Sequence, residues 1–494
     1  MHTVTDQDLL SIQETRSLLR KSKLAQQELA SFSQAQIDEI CAAIVVAAVE
    51  HNDLLAKMAN EETGFGNWQD KALKNYFSAY ALWEKIKNIK TVGVIATDPR
   101  EKTYDIAVPV GVVAGLIPST NPTSTVIYKT LIAIKAGNSI VFSPHPNAKM
   151  SIIKTVEILQ QAAENAGCPV GTISVITNPT LQGTTELMKH DITRLILATG
   201  GLAMVKAAYS SGTPAIGVGP GNGPAVIERT ANIPLAVTQI IDSKTFDNGV
   251  ICSSEQSVIV EKIKKAEVIA EFKKQGGYFL NKTEAKVLAQ FMLRSDGSMN
   301  PQMVGKSIPA LAKLTGLDLP TNTRVLIAEE NRIGRRIPLS REKLTPILAL
   351  YTTEDWVEAL QRSNDLLRNG GLGHTMMIHT QDEAIVKEFG LQSLASRLLV
   401  NTGGSLGAVG GTTNLMPAMT LGCGAIGGSS TSDNIGPENL FNIRKVAYGV
   451  REMADLRRTD HEHILNKQTI KNNQVSLNDK EISQVVKAVL AKIL

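Results

Sequence analysis

The sequence has few aromatic residues and few cysteines, and each shortage excludes a class of protein. Aromatic residues make up 4% of the 494 residues, too few for a base-stacking surface that binds nucleic acid. The four cysteines, Cys41, Cys168, Cys252 and Cys423, are widely spaced and show no CxxC pattern. We therefore expect reduced thiols, with neither a zinc site nor a disulfide framework.

Membrane and targeting signals are also missing. No stretch of about 18 apolar residues occurs, and the opening MHTVTDQDLLSIQETR has no cationic segment followed by an apolar one. The formal charge of +4 is spread along the chain, apart from a short basic run at Lys262 to Lys265. We therefore expect a globular cytoplasmic protein that has no nucleic-acid or membrane partner. Hydrophobic residues, at 43%, are sufficient for one or two large cores.

From Gly111 onward, apolar strand-like segments alternate with helical ones, and a second such series follows Gln256. Apolar strands separated by helices predict parallel sheets that are covered on both faces, so the predicted fold class is α/β with a Rossmann-type domain. Ligands of such sheets bind beyond the carboxyl ends of the strands. Thr199-Gly200-Gly201 occupies one such end, where it forms either a pyrophosphate site or a plain strand-to-helix turn.

The segment TFDNGVICSSEQ, Thr245 to Gln256, places Cys252 just after an Asp-Asn-Gly turn. A cysteine there is either a small buried hydrophobic residue or an exposed nucleophile, whose pKa helix-terminal amides or a nearby cation would lower. We favour the nucleophile because a second polar loop, Pro118 to Ser124, and the dinucleotide-type units precede it. Cys423 is the alternative thiol, but neither a helix start nor a base adjoins it in the sequence.

Asn121 lies between a predicted strand and a helix predicted to start at Thr123. An amide at a helix N-terminus can donate to an oxygen that becomes negative. If Cys252 attacks an aldehyde, Asn121 and the Cys252 backbone N–H would hold the oxyanion, while a nicotinamide cofactor accepts hydride. The product would be a thioester on Cys252. His374 and His379 are candidate bases, although we favour a place in the core for both.

The motifs STNPTST, FDNGVICSSEQ and REKLTP occur in this order, and together they resemble the aldehyde dehydrogenase superfamily, most closely its coenzyme A (CoA)-acylating branch. The resemblance covers roughly residues 11–452. It implies that Cys252 is the nucleophile, that Asn121 is the oxyanion donor, and that Glu342 holds the nicotinamide ribose. Gly200, next to Thr199, matches the turn near the pyrophosphate.

The resemblance also implies an NAD-binding domain, a catalytic domain and an oligomerisation arm, and hence a homodimer or homotetramer. With the tail included, the predicted segments are 1–90 and 109–225 (NAD-binding domain), 226–430 (catalytic domain), 91–108 and 431–460 (β-hairpin oligomerisation arm), 466–477 (linker) and 478–494 (amphipathic targeting helix).

Departures from the family pattern indicate the branch. Where hydrolytic members carry a glutamate that activates water, this chain reads GVGPGNGP, with Val218 or Gly219 at that position. Without that base, the acyl-enzyme should persist until the thiol of CoA, which needs less activation than water, accepts the acyl group. Where a lysine usually serves the adenosine ribose, FSPHP provides Ser143 and Pro144. The missing cation favours NAD over NADP, and no metal is implied.

The tail NDKEISQVVKAVLAKIL, 478–494, has apolar residues at helical spacing and follows a polar linker. Such a helix either packs on its own domain or docks into the groove of another protein, and we favour docking. SQVVKAVLAKIL resembles the encapsulation peptides of enzymes in bacterial microcompartments. That resemblance implies a shell-protein partner, a location inside a microcompartment, and acetaldehyde or propionaldehyde as the substrate.

The predicted function is that of a CoA-acylating aldehyde dehydrogenase, which converts a short-chain aldehyde, CoA and NAD+ into acyl-CoA and NADH. One alternative is a hydrolytic aldehyde dehydrogenase that releases a free acid. The other is a non-catalytic protein that interacts with a microcompartment. The sequence as printed has no alcohol dehydrogenase half of the kind that bifunctional members carry, so we expect aldehyde and acyl-CoA chemistry alone.

Overall fold

The computed structural model describes residues 6–457. The predicted linker 466–477, the predicted helix 478–494 and the end of the predicted arm, 458–460, lie outside the described residues. By its contacts the chain divides into two units. The large unit comprises the described chain up to Ile95 together with Ile106–Arg444, and the small unit comprises Ala96–Asp105 and the described residues from Lys445 onward.

The described residues contain fifteen β-strands. They are β1 (Gly93–Asp98), β2 (Thr103–Pro109), β3 (Val112–Ile117), β4 (Ser139–Pro144), β5 (Ile173–Val175), β6 (Thr193–Thr199), β7 (Ala215–Val218), β8 (Gly223–Ile227), β9 (Glu255–Glu261), β10 (Gly277–Phe279), β11 (Val325–Glu329), β12 (Ile347–Thr353), β13 (Gly373–His379), β14 (Ala395–Val400) and β15 (Phe441–Ala447).

The α-helices of the described residues number seventeen. They are α1 (Gln7–Leu29), α2 (Gln34–Glu50), α3 (Asn52–Thr63), α4 (Trp68–Tyr76), α5 (Leu82–Ile86), α6 (Pro122–Lys135), α7 (Lys149–Asn165), α8 (Leu181–Lys189), α9 (Leu202–Tyr209), α10 (Ile233–Thr245), α11 (Lys265–Lys274), α12 (Lys282–Met292), α13 (Ile308–Thr315), α14 (Trp356–Asn369), α15 (Glu383–Gln392), α16 (Gly404–Ala408) and α17 (Met453–Arg457). A π-helical turn, Phe77–Ala81, joins α4 to α5.

The first sheet is parallel and has the strand order β5-β4-β3-β6-β7. Alternate residues of β3 enter different cores, since Val113 packs with α2, α6 and α7 whereas Ala114 packs with α1, α8 and α9. Both faces are therefore covered, as the apolar strands predicted. The chain proceeds outward from β3 through β4 to β5 and then returns to β6 on the other side. A crevice at the strand carboxyl ends forms at such a reversal.

The second sheet has seven parallel strands in the order β10-β11-β12-β9-β8-β13-β14. The strand β8 is not predicted from the sequence, because the second series of strand-like segments is placed after Gln256. Glycine and proline weaken a strand pattern, and Pro224 stands near the start of this central strand. A register irregularity between Gly223 and Pro224 accommodates the proline, after which Val226 and Ile227 pair normally with β9.

A third sheet, in the order β1-β2-β15, joins the predicted hairpin to a late segment of the chain. Its surface is largely open, since Val94 and Ile443 are 51% and 54% exposed. Lys445 pairs with Asp105 at 2.8 Å. An oligomerisation role for this sheet stays a prediction. Within residues 6–457, no helix combines the length and apolar character needed to cross a membrane.

Two glycines should respond in opposite ways to substitution by alanine. Gly390 lies within α15, where an added Cβ would meet nothing within 4 Å. Gly373 has a φ of +76°, and a Cβ there would lie 1.9 Å from the Cys423 carbonyl oxygen. Gly390→Ala should stabilise the fold by about 0.5–1 kcal/mol, because it removes freedom from the unfolded chain. Gly373→Ala should destabilise the fold by more than that amount.

Thermal unfolding midpoints, measured at one scan rate for both variants and the parent protein, test this pair. A lowered midpoint for Gly390→Ala, or an unchanged one for Gly373→Ala, would contradict the assignment of these backbone environments.

Candidate active site

A cavity of about 550 Å³ lies where the carboxyl ends of β3, β4, β6 and β7 meet the turn that precedes β9. This is the position at which parallel α/β sheets bind ligands. The cavity lies within the large unit. Its lining includes eight residues that the sequence predicted for the site: Cys252, Asn121, Glu342, Thr199, Gly200, Ser143, Pro144 and Gly219.

The β6 end of the cavity suits a dinucleotide. Thr199 ends β6, and the helix α9 begins at Leu202 without a side-chain cap on its N-terminal N–H groups. Uncapped N–H groups at a helix start bind phosphate. A Cβ added at Gly201 or Gly219 would meet nothing within 4 Å, so the backbone is open to a ligand at both points. These residues fit the pyrophosphate of a nicotinamide dinucleotide.

At the β4 end, the Ser143 hydroxyl and the Thr184 hydroxyl lie 2.7 Å apart and share a hydrogen bond. Pro144 and His145 continue the wall of the cavity. Burial lowers the pKa of His145, which favours its neutral form. Among the described residues, neither a lysine nor an arginine lines the cavity, and Glu342 is its one carboxylate.

A sharp turn delivers Cys252 to the cavity. Asp247 and Asn248 have φ values of 47° and 52°, and Gly249 follows with a φ of 76°. Left-handed backbone costs roughly 1–2 kcal/mol for each non-glycine residue, so this turn must be held by its surroundings. The strand β9 starts three residues after Cys252, which places the thiol at the cavity wall with part of its surface accessible.

The expected low pKa of the nucleophile is wrong for this structure. Burial, together with the nearby Glu342 carboxylate, raises the pKa of the Cys252 thiol to about 12. Arg397 and the cysteine's own backbone N–H oppose the shift only in part. The sequence suggested helix-terminal amides or a cation, whereas the fold provides an apolar wall and a carboxylate. The thiol is therefore neutral near pH 7 in the free protein.

Glu342 faces the cavity from a loop before β12. Its Oε1 accepts a hydrogen bond from the Gly221 N–H at 2.8 Å. Burial raises the pKa of the Glu342 carboxyl to about 7, although the Gly221 N–H and Lys244 act in the opposite direction. A carboxylate in this position can accept a hydrogen bond from a sugar hydroxyl, as the expected ribose contact requires.

Asn121 is the N-cap residue of α6, yet its side chain makes no hydrogen bond to the N–H groups of that helix. Its Oδ1 instead accepts from the Lys74 Nζ at 2.5 Å. Lys74 also pairs with Asp247, which contacts Lys71 as well. Lys71 and Lys74 could not be recognised from the sequence, because a lysine pair on a helix usually indicates a solvated face. Only the fold brings their partners to them.

The other thiols and the two histidines lie outside the lining of the cavity. Cys423 is buried, and burial raises the pKa of its thiol. Burial lowers the pKa of His374 to about 3 and that of His379 to about 4, so both are neutral at pH 7. His374 Nδ1 lies 3.0 Å from the Thr375 hydroxyl. Among the described residues, no group of three or more His, Cys, Asp or Glu side chains could hold a metal ion.

Comparison with known proteins agrees with this geometry. A sequence model of the aldehyde dehydrogenase family matches residues 3–277. The bifunctional aldehyde-alcohol dehydrogenase of Escherichia coli (strain K12) is 43% identical over 448 residues, which is 90% of this chain and 50% of that protein. The chain thus spans about half the length of the first curated relatives it matches. Succinate-semialdehyde dehydrogenase (acetylating) of Clostridium kluyveri is 35% identical, covering 88% of this chain and 96% of that one.

Solved structures give the same result. A probable aldehyde dehydrogenase from Listeria monocytogenes superposes with a TM-score of 0.91 at 63% identity, covering 92% of this chain and all of that one. An acetylating aldehyde dehydrogenase from Geobacillus thermoglucosidasius superposes with a TM-score of 0.90 at 51% identity, covering 91% of this chain and 99% of that one. A propionaldehyde dehydrogenase from the Clostridium phytofermentans fucose utilisation bacterial microcompartment superposes with a TM-score of 0.80 at 28% identity, covering 89% of this chain and 98% of that one.

The Glu342→Gln substitution should make Cys252 more reactive in the free protein. Removing the negative charge lowers the pKa of the thiol, so more thiolate is present at any pH above 7. One pKa unit corresponds to tenfold in thiolate, and we expect iodoacetamide to modify Cys252 about three to ten times faster at pH 8.5. Rates are followed by mass spectrometry of the peptide that contains Cys252.

The Cys252→Ala variant should show no labelling of that peptide. An unchanged or slower alkylation rate in Glu342→Gln would mean that the carboxylate does not control the thiol.

Proposed function

The chain belongs to the aldehyde dehydrogenase family, and we propose that it is a CoA-acylating member, which converts an uncharged short-chain aldehyde into its acyl-CoA. The balanced reaction is aldehyde + CoA + NAD+ giving acyl-CoA + NADH + H+. The observation that carries the proposal is one cavity in which Cys252, Asn121 and Glu342 lie together, while Val218 and Gly219, one of which matches the water-activating glutamate of hydrolytic members, line the same cavity without a carboxylate. The two relatives named as acetylating support the same branch.

The residues of the cavity provide a nucleophile and an oxyanion donor. The Cys252 thiol loses its proton, which is the H+ of the balanced reaction, as the sulfur adds to the aldehyde carbon. The carbonyl oxygen of the substrate becomes the oxygen of a tetrahedral thiohemiacetal. The Asn121 amide, which lines the same cavity, donates to that oxygen as its negative charge develops. Bound NAD+ supplies a hydride acceptor, so that the cysteine is left as a thioester. Glu342 and the start of α9 would hold the ribose and the pyrophosphate of the cofactor.

The second half of the reaction depends on what the cavity lacks. Val218 and Gly219 offer no base for water, and apolar side chains such as Leu344, Met419 and Leu421 cover much of the wall. A thiol needs less activation than water to attack a thioester, so CoA accepts the acyl group and restores the free cysteine. Glu342 is the one carboxylate among the described residues that line the cavity, and its pKa is about 7. Its presence favours the hydrolytic alternative, because this carboxylate could serve as a base for water.

The charge of the cavity indicates the class of aldehyde. Within the described part of the chain, no cationic side chain lines it. An aldehyde with a carboxylate or sulfonate would be desolvated without a partner and would lie near the negative Glu342, which costs several kcal/mol. Acetaldehyde and propionaldehyde meet no such penalty. The same absence of a cation beside Ser143 favours NAD, since the 2′-phosphate of NADP usually requires an arginine.

Two further parts of the proposal rest on sequence pattern. The amphipathic segment 478–494 would dock on a microcompartment shell protein, and the similar propionaldehyde dehydrogenase of a microcompartment supports this address. The open sheet β1-β2-β15 would join copies of the chain into a dimer or tetramer.

CoA should be required for sustained turnover. With propionaldehyde and NAD+ alone, the protein should release at most one NADH per site and acquire an acyl group on Cys252, because neither Val218 nor Gly219 offers a base to drive hydrolysis. Added CoA should raise the steady-state rate by at least about 100-fold, since thiolysis then replaces slow hydrolysis. NADH absorbance and intact-protein mass measure the two effects. Cys252→Ala should lose both the burst and the adduct.

Equal steady-state rates with and without CoA, accompanied by free propionic acid, would establish the hydrolytic alternative. A folded protein that produces no NADH under any of these conditions would favour the non-catalytic alternative.

Propionaldehyde should be preferred over succinate semialdehyde by at least about 100-fold in kcat/KM, because roughly 3 kcal/mol of unpaired negative charge opposes binding of the latter. The methyl ester of succinate semialdehyde is the matched control, since it keeps the length and removes the charge, and it should recover most of the loss. The kcat/KM for NAD+ should likewise exceed that for NADP+ by at least about tenfold. Succinate semialdehyde turnover equal to that of its ester would contradict the charge argument.

Removing residues 478–494 should leave CoA-dependent activity within about twofold, because the described residues that line the cavity lie between Leu116 and Leu421, while binding to a shell protein is lost. Binding to the shell is measured separately, by pull-down with purified shell proteins and with a fusion of residues 478–494 to a fluorescent protein. An active truncated protein that still binds shell proteins would refute the targeting role.

A further inference from the structure

Asn121 is held in an unusual way for a residue at the start of a helix. An asparagine at the N-cap ordinarily accepts a hydrogen bond from the second or third N–H of the helix. The Asn121 side chain makes no such bond, and only its backbone oxygen contacts α6, through the Thr125 N–H at 3.2 Å. The amide is therefore free to serve another purpose.

Lys74 fixes which end of the amide faces the cavity. Its Nζ lies 2.5 Å from the Asn121 Oδ1. An ammonium group has three donors and no acceptor, so it can pair only with the amide oxygen. The NH₂ group must then point away from Lys74, where it lies 3.3 Å from the Thr120 hydroxyl in the wall of the cavity. A cation on the oxygen also polarises the amide, which strengthens its N–H donors.

Lys74 is itself held by a buried carboxylate. Asp247 Oδ2 pairs with Lys74 and, at 3.0 Å, with Lys71. The side chain of Lys74 is 3% exposed, that of Lys71 is 2% exposed, and that of Asp247 is fully buried. Burial and the charge of Lys74 lower the pKa of Lys71 to about 8. Asp70 also faces this group, because its Oδ2 accepts the Asp247 N–H at 2.7 Å. The cluster leaves Lys74 no freedom to turn toward solvent.

The same aspartate belongs to the turn that carries the nucleophile. Asp247 is five residues before Cys252, and its Oδ1 accepts the Asn67 N–H at 2.8 Å. Gly66, with a φ of +68°, makes room for it, since a Cβ there would lie 1.7 Å from the Asp247 Oδ1. Asp247, Lys74 and Asn121 therefore form a continuous path of ionic and hydrogen-bonded contacts from the nucleophile turn to the oxyanion donor.

We propose that Lys74 is a positioning residue for acyl transfer, which acts through Asn121 by holding its amide with the N–H groups toward the substrate oxygen. This inference rests on the proposed function, because it assigns the oxyanion to Asn121. Loss of one preorganised oxyanion donor typically costs 10²–10³ in kcat, and misalignment of the donor should cost part of that factor.

The test compares Lys74→Met with the matched control Lys71→Met. Both variants remove one buried cation from Asp247, but Lys71 contacts the Thr120 backbone oxygen rather than Asn121. We expect Lys74→Met to lower kcat for propionaldehyde oxidation at saturating CoA by about 30- to 100-fold, with KM for the aldehyde within about threefold. Lys71→Met should lower kcat by less than about fivefold, and Lys74→Arg should restore part of the loss.

Coupling to Asn121 separates positioning from a general structural role. In an Asn121→Ala background, Lys74→Met should cost less than about threefold, because the group through which it acts is gone. An equal loss with and without Asn121, an equal loss in Lys71→Met, or an unchanged kcat in Lys74→Met would each overturn the inference. If Lys74→Met does not fold, Lys74→Gln, which keeps a neutral donor, is measured in the same scheme.

A crystal structure of Lys74→Met gives a readout that needs no activity. The freed Asn121 oxygen should turn to cap the N–H groups at the start of α6. An Asn121 side chain that stays in place in this variant would overturn the positioning role, whatever the activity of the parent protein. Absence of CoA-dependent turnover in the parent protein would instead refute the proposed function.

Discussion

A single buried carboxylate, that of Asp247, joins the chain segments that build the reactive part of the cavity. It contacts the Asn67 backbone, the two lysines of α4, and through Lys74 the amide of Asn121. Breaking a buried ion pair by removing one partner typically costs 3–5 kcal/mol, because the remaining charge stays desolvated. The strained turn at Asp247 and Asn248 is kept in place by these contacts. The position of Cys252 thus depends on an ion cluster whose members, Asp247, Lys71 and Lys74, do not line the cavity.

The proposed nucleophile lies in an environment that keeps its thiol protonated in the free protein. An apolar wall and the Glu342 carboxylate hold the pKa of Cys252 high, so the free protein exposes little thiolate to oxidants or stray electrophiles. In the proposed reaction, the same wall has no carboxylate at Val218 or Gly219, which would protect a thioester from hydrolysis. Low reactivity at rest and persistence of the proposed acyl-enzyme would then follow from one property, the scarcity of charge in the cavity. The same scarcity is the reason for which we propose uncharged aldehydes as substrates.

The two parallel sheets contribute different parts of the cavity. Strands β3, β4, β6 and β7 provide the wall where a dinucleotide fits, while the turn before β9 provides the thiol. Asn121 follows β3 of one sheet and Cys252 precedes β9 of the other, so elements far apart in sequence meet at one cavity. Among the described residues, none that lines the cavity belongs to the sheet β1-β2-β15.

The sequence by itself determined the α/β class, most strand and helix positions, and eight of the residues that line the cavity, because hydrophobic period and short motifs are local properties. It failed at β8, where glycines and Pro224 conceal a central strand that pairing with β9 and β13 stabilises. Only the tertiary structure decided the protonation of Cys252 and the partners of Lys71 and Lys74. Desolvation and ion pairing depend on which distant segments surround a group, and no local pattern records that.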